Sequence, residues 1–212
     1  MSNTITFNDK YDGFNIQASK AKQHGIILDV LRPMIGQVTT LLSRHSRITV
    51  LRFDCRFPTN WEHNRKLENN AMTRTTKMIK ENLQLKRWSG HRDLISGWVY
   101  EVGNDGRPHY HCFIGFKSCY RRLGAFGGET YSGIWELIRS AWKRTTGGTV
   151  HFSKNHTVNR TNFEQLNCCI HHISYMAKVN TKQFGNGSTA KNFSFSRLKS
   201  TSTQRCNQPA TN

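Results

Sequence analysis

Acidic residues are scarce: 13 Asp and Glu stand against 31 Lys and Arg in 212 residues, giving a formal net charge of +18 and a pI near 10.1. Such an imbalance costs self-repulsion, which argues against a merely solvated basic surface and for a polyanionic partner. Nucleic acid is the first candidate. Long apolar runs are also missing: none approaches the ~20 residues a bilayer span needs. The basic residues are spread along the chain and form no polybasic anchor, so no membrane partner is expected. The opening stretch MSNTITFNDKYDG lacks an apolar h-region and an Arg-rich, acid-poor bias, so we read no export or organelle signal and expect a cytoplasmic protein.

The six cysteines (Cys55, Cys112, Cys119, Cys168, Cys169 and Cys206) include no C-x-x-C pair, and several fall inside apolar periodic segments. They read as buried small hydrophobes in a reducing compartment rather than as a zinc or disulfide framework. No G-x-x-x-x-G-K-[ST] phosphate loop is present, which excludes a P-loop motor.

What is present is an alternation of helical and strand patterns. Residues 1–20 are polar and expected to be loosely ordered. From Gly25 to Ser43 apolar residues recur at helical spacing, with Pro33 expected to kink that helix or mark its start. RITVLRFDCRFP alternates with period two, setting Leu51, Phe53, Cys55 and Phe57 on one face and Arg52, Asp54 and Arg56 on the other. A helix follows over residues 61–86, then two strands, LISGWVYEV and HYHCFIGF, around a Gly/Asn/Asp turn. YSGIWELIRSAWKRTTGG is an amphipathic helix stopped by glycines, TVHF a short strand, and FEQLNCCIHHISYMAKV a last helix. This order predicts one α+β domain over residues 21–182, with an antiparallel sheet of four to five strands and flanking helices in the ferredoxin-like manner. Residues 183–212 read as a flexible basic tail.

The stretch GNDGRPHYHC carries the first chemical signal. Residues two apart on a strand share a face, so His109 and His111 project together. If the hairpin closes through a three-residue loop, Asn104-Asp105-Gly106, Glu101 lies across from His109; a two-residue turn would send Glu101 to the opposite face. Burial favours the longer loop, because it sets Trp98, Tyr100, Val102, Tyr110, Cys112, Ile114 and Phe116 on one core-facing side. Val99, Glu101, His109, His111 and Phe113 then share the other, giving one sheet side for core and one for chemistry. Two imidazoles and a carboxylate suit a divalent cation with open positions.

The second signal is in the last helix. Leu166, Cys169, Ile170, Ile173, Met176 and Ala177 form its apolar stripe, and Tyr175, Lys178 and His171 lie opposite at spacings of three and four. A phenol beside an ammonium can act as an activated nucleophile. The stripe raises a difficulty, since packing it on the sheet would turn Tyr175 away from the histidines.

Together, EVGNDGRPHYHCFIGF and YMAK resemble two motifs of the HUH endonucleases, the rolling-circle replication initiators (Rep proteins) of phages, viruses and plasmids. The order and spacing over residues 45–182 are most similar to the filamentous-phage (inovirus) type, and TVLRFDCRFP resembles their first strand loosely. The resemblance implies an RRM-like HUH endonuclease fold, Mg or Mn held by Glu101, His109 and His111, and Tyr175 as nucleophile supported by Lys178. The implied reaction is a site-specific single-strand nick that leaves a 5′-phosphotyrosyl enzyme and starts rolling-circle replication. Single-stranded origin DNA is the implied partner, with Arg52, Arg56 and His171 as DNA contacts, and a bacterial host's helicase and DNA polymerase would act alongside. Val179 and His171, four residues either side of Tyr175, are not tyrosines, so the pattern is that of a single-tyrosine member. A transposase or relaxase using the same chemistry, a non-catalytic single-strand binding module and a small zinc protein are the competing readings.

Overall fold

The computed structural model describes residues 4–85, 91–118, 123–124, 131–179 and 191–199; most of the segment 183–212 read as a basic tail lies outside them. Two short pairings open the chain: β1 (Ile5–Thr6) with β4 (Ile26–Ile27), and β2 (Lys10–Tyr11) with β3 (Phe14–Asn15). Then come α1 (Leu28–Arg44), β5 (Arg47–Arg56), α2 (Arg65–Gln84), β6 (Leu94–Val102), β7 (Pro108–Lys117), α3 (Gly133–Thr146), β8 (Thr149–Asn159), α4 (Phe163–Ser174) and β9 (Phe193–Phe195). The five long or late strands form one antiparallel sheet in the order β8-β5-β7-β6-β9. Stripped of β9, the run β5-α2-β6-β7-α3-β8 is the β-α-β-β-α-β arrangement of the ferredoxin-like motif.

Period-two alternation gives the sheet two apolar faces, and helices cover both. Leu51, Phe53, Cys55, Trp98, Tyr110, Cys112, Ile114 and Phe116 pack against α2 and α3, whose Met72, Ile79, Trp135 and Trp142 fill that layer. Burying each such large apolar side chain is worth roughly 1.5–3 kcal/mol. On the other face Ile48, Val50, Ile95, Val99 and Phe113 pack under α1 and α4. This corrects the expectation of one core side and one chemical side: the second face is also core over half its length, and the polar residues occupy only the end toward the β6–β7 hairpin.

Other departures have local causes. Residues 4–20 are not loose, because Phe14, Ile16 and Ala18 alternate with period two and are buried against the second core layer, with Phe14 stacked on Phe163 at 5.7 Å. The strand read as TVHF runs on to Asn159; a register shift opposite Leu51/Phe53 breaks its alternation, and its polar residues suit the edge position it holds. Pro33 lies inside α1, which begins at Leu28. α2 starts where the Asn64 carboxamide accepts from Lys66 N–H and Leu67 N–H, and α4 where Asn162 accepts from Gln165 N–H. Cys55, Cys112 and Cys169 are buried free thiols and Cys168 is exposed, while Cys119 and Cys206 lie outside the described residues. No helix among the described residues is long and apolar enough to cross a membrane.

Candidate active site

The β6–β7 hairpin sets the register on which the site depends. Gly106 takes the left-handed conformation at φ +73°, where a side chain would be strained. The Asp105 carboxylate accepts from Arg107 N–H at 3.1 Å, and Gly103 N–H donates to the Arg107 carbonyl at 2.9 Å. The loop therefore holds three residues, and Glu101 pairs with His109. One side-chain atom from each of Glu101, His109 and His111 lies within 4.8 Å of the others, a grouping able to hold a metal ion.

Adjacent strands extend this row by register alone. Arg56 of β5 pairs with His109, and Asp54 pairs with His111 on one side and His151 of β8 on the other. Asp54 Oδ1 lies 2.6 Å from His111 Nδ1, and Glu101 Oε2 lies 3.0 Å from His111 Nε2. Burial alone would lower the His111 pKa, but the bonds to Asp54 and Glu101 outweigh it and raise it above the ordinary value. Burial would raise Asp54; the hydrogen bond and charge of His111, with Arg52 and His109, hold it below the usual carboxylate range. His109 is pushed down, first by burial and then by the neighbouring His111.

The donor set suits a divalent cation on the structure's own terms. With Nδ1 of His111 engaged by Asp54, its Nε2 is the nitrogen turned toward Glu101, as in carboxylate–histidine–metal arrangements. Sequence reading put Asp54 on this face without a role. The signal was its position opposite His111, which needs the β5–β7 register to be seen.

Tyr175 reaches the same end of the sheet because α4 does not continue through it. The helix ends at Ser174 and the chain tightens into a 3-10 turn over Tyr175–Ala177. Val179 N–H then donates to the Gly25 carbonyl at 2.9 Å, and Lys178 bridges to Ile26, which ties the turn beside β4. Ile173, Met176 and Ala177 still enter the core layer under α1. The helix covers the sheet toward the β8 margin, so Tyr175 meets the histidines although its helix buries the opposite stripe. Its ring stands edge-on to His111 at 5.6 Å between centroids. The Arg52 guanidinium lies 4.6 Å and Lys178 Nζ 4.5 Å from the Tyr175 ring centre.

Arg52, on the strand face expected of it with Asp54 and Arg56, is 8% exposed. Its Nη1 lies 3.2 Å from His172 Nε2, and its Nη2 3.8 Å from Asp54 Oδ1. Since a guanidinium only donates, His172 Nε2 accepts and its proton sits on Nδ1, directed at His156 Nε2 2.8 Å away. Ser153 Oγ is 3.0 Å from the same His172 Nε2. Burial, with the Arg52 charge on His172 and the Lys154 charge on His156, pushes both imidazoles down to about 4. Sequence reading missed this His156–His172–Arg52 chain, because His156 belongs to the unexpected half of β8. Arg56 is exposed on the β5 end, and His171 is exposed on α4 with its carbonyl accepting from Gln17 Nε2 at 3.1 Å. The structure thus gathers Glu101, His109, His111, Arg52, Tyr175 and Lys178, and leaves Arg56 and His171 on the periphery.

No curated protein and no solved structure matches the chain significantly. The model of the YagK/YfjJ C-terminal domain matches residues 10–196, from β2 to the residue after β9. That span includes every strand and helix that builds the site, and the chain belongs to the YagK/YfjJ C-terminal domain family, a family of prophage-associated proteins.

Proposed function

We propose that this protein is a metal-dependent endonuclease that nicks single-stranded DNA through a covalent phosphotyrosine and so initiates rolling-circle replication. The observation that carries this reading is the convergence of the Tyr175 ring with His111, Arg52 and Lys178 beside a two-histidine, one-carboxylate cluster. Glu101, His109 and His111 would hold Mg²⁺ or Mn²⁺, whose Lewis acidity would polarise a phosphate oxygen.

The chain's own residues account for the remainder. Arg52 and Lys178, 4.6 Å and 4.5 Å from the Tyr175 ring centre, would neutralise charge developing on the phosphate. The Tyr175 Oη–phosphorus bond forms as the phosphorus–O3′ bond breaks. The phenolic proton leaves to solvent and the 3′ oxygen takes one up, so the products are a 5′-phosphotyrosyl enzyme and a free 3′-hydroxyl. Phosphoester energy is conserved, and the reverse step rejoins the strand without a nucleotide cofactor. A net charge of +18 supplies the salt-sensitive affinity for the strand. Extension from the 3′-hydroxyl and unwinding fall to a host polymerase and helicase.

The test is incubation with end-labelled single-stranded DNA from the flanks of the encoding element, with Mn²⁺ or EDTA, followed by a denaturing protein gel. A labelled protein band that needs Mn²⁺ and disappears in Tyr175→Phe is expected. Tight, salt-sensitive binding with no adduct across several metals and flanking sequences would instead make this a binding module.

A further inference from the structure

Three residues before Tyr175, the end of α4 carries His172, and both side chains meet Arg52. A guanidinium has five N–H donors, yet among the described residues the contact to His172 is the one hydrogen bond that the Arg52 side chain makes. Asp54 Oδ1 stands off at 3.8 Å from Nη2, and Nε is buried with no hydrogen-bond partner. Attraction to Asp54 keeps the charge at this end of the sheet, but a contact of that length is too long for a hydrogen bond and does not set the plane of the group. That is left to the 3.2 Å contact between Nη1 and His172 Nε2, which holds a guanidinium lying 4.6 Å from the Tyr175 ring centre.

The hold depends on which nitrogen of His172 carries the proton. Nε2 accepts from Arg52 only when the proton is on Nδ1, and Nδ1 lies 2.8 Å from His156 Nε2, which can accept it. Burial, joined by the Arg52 charge, pushes His172 down to about 4, and burial with the Lys154 charge does the same to His156. Both rings are therefore neutral near pH 7, and each keeps a lone pair. The other tautomer has an outlet, since Ser153 Oγ lies 3.0 Å from His172 Nε2 and can accept its proton. It would set that proton against the guanidinium, however, and only the Nδ1–H form satisfies Arg52 and His156 together.

We infer that His172, kept in its Nδ1–H tautomer by His156, is a positioning residue that fixes the Arg52 guanidinium at Tyr175 for the nicking step. The consequence for rate rests on the endonuclease reading, whereas the tautomer can be measured without DNA. The first experiment is a long-range ¹H–¹⁵N NMR spectrum of the ¹⁵N-labelled full chain at neutral pH. The second is single-turnover adduct formation with Mn²⁺ and end-labelled single-stranded DNA, with DNA affinity measured beside it. Its variants are His172→Phe, His172→Gln, and His172→Phe combined with Arg52→Lys.

His172 should show a protonated Nδ1 and an unprotonated Nε2. His172→Phe keeps a flat ring but offers no acceptor, and should slow adduct formation about 100-fold with DNA affinity within a few fold. His172→Gln restores an acceptor and should recover at least about tenfold of that loss. Added to Arg52→Lys, His172→Phe should cost less than about threefold, because the group it positions is already gone. A proton on Nε2, a His172→Phe rate near wild type, or a loss that multiplies fully with that of Arg52→Lys overturns the inference. Should His172→Phe not fold, the wild-type tautomer and the His172→Gln rate still decide it. An adduct with the proton on Nε2 sinks the role of His172 and keeps the nuclease, whereas the Nδ1–H tautomer with no adduct keeps the hold on Arg52 and sinks the nuclease.

Discussion

The Asp54 carboxylate lies 2.6 Å from His111 Nδ1, on the side of the ring away from Glu101. It aims the ring, so Asp54 is a positioning residue. Asp54→Asn should weaken Mn²⁺ binding about 10–100-fold, as loss of such outer partners does. Isothermal titration reads this directly, and unchanged affinity would reduce Asp54 to a packing role.

The triad also predicts a stability effect independent of DNA. Mn²⁺ at about one hundred times its dissociation constant should raise the unfolding free energy by about 2.7 kcal/mol. His109→Ala and Glu101→Gln should abolish that increment while folding normally. Urea melts with and without Mn²⁺ are the measurement, and equal increments in the variants would mean the ion binds elsewhere.

Arg52 uses its planar fork on His172 and Asp54 and its face on Tyr175, which lysine cannot reproduce. Arg52→Lys should therefore slow adduct formation about 100-fold or more while leaving DNA affinity within a few fold. Single-turnover gels distinguish this from a general loss of binding, in which affinity and rate would fall together.

His156 and His172 are held at about 4, below the ordinary histidine value near 6.5. Between those values the unfolded chain binds protons that the folded chain refuses. Stability therefore rises with pH across that window and is lost as pH falls from about 6.5 toward 4. His156→Gln keeps an acceptor for His172 and should flatten the acid limb of a urea-midpoint profile. An unaltered limb would assign acid sensitivity to other groups.

Gly97 of β6 has no room for a side chain: an added Cβ would lie 2.3 Å from Phe195 Cδ1 and 2.5 Å from Phe113 Cε1. Gly97→Ala should cost about 1–3 kcal/mol through overpacking and loosen β9 first. Hydrogen exchange at residues 193–195, set beside global melts, tests both parts of that statement.

Elements whose determinants are local were legible in the sequence. The hairpin register followed from Asn-Asp-Gly and the alternation on either side, and with it the union of Glu101, His109 and His111. The element order from α1 to α4 followed from apolar period. What escaped was set by contacts between distant segments. Nothing in YMAK says that α4 stops at Ser174; the turn forms because Val179 docks on Gly25, more than 150 residues earlier. The distal half of β8 is polar and bulged, so its alternation does not announce a strand. Phe14, Ile16 and Ala18 did carry a period-two signal, hidden by the polar residues between them.

The short β9 carries a consequence in time. Tyr100 N–H donates to the Asn192 carbonyl and Ser96 N–H to the Ser196 hydroxyl, a hundred residues later in the chain. During synthesis the strand bearing Glu101 leaves the ribosome as the bare outer edge of its sheet, and it stays so until the segment after Asn192 arrives. Tyr175 also emerges well after the strand pair that bears Glu101, His109 and His111. A nascent chain can thus bring Glu101, His109 and His111 together long before Tyr175 or the strand that covers their edge has been made, and the order of translation completes the cluster only when the fold is nearly closed.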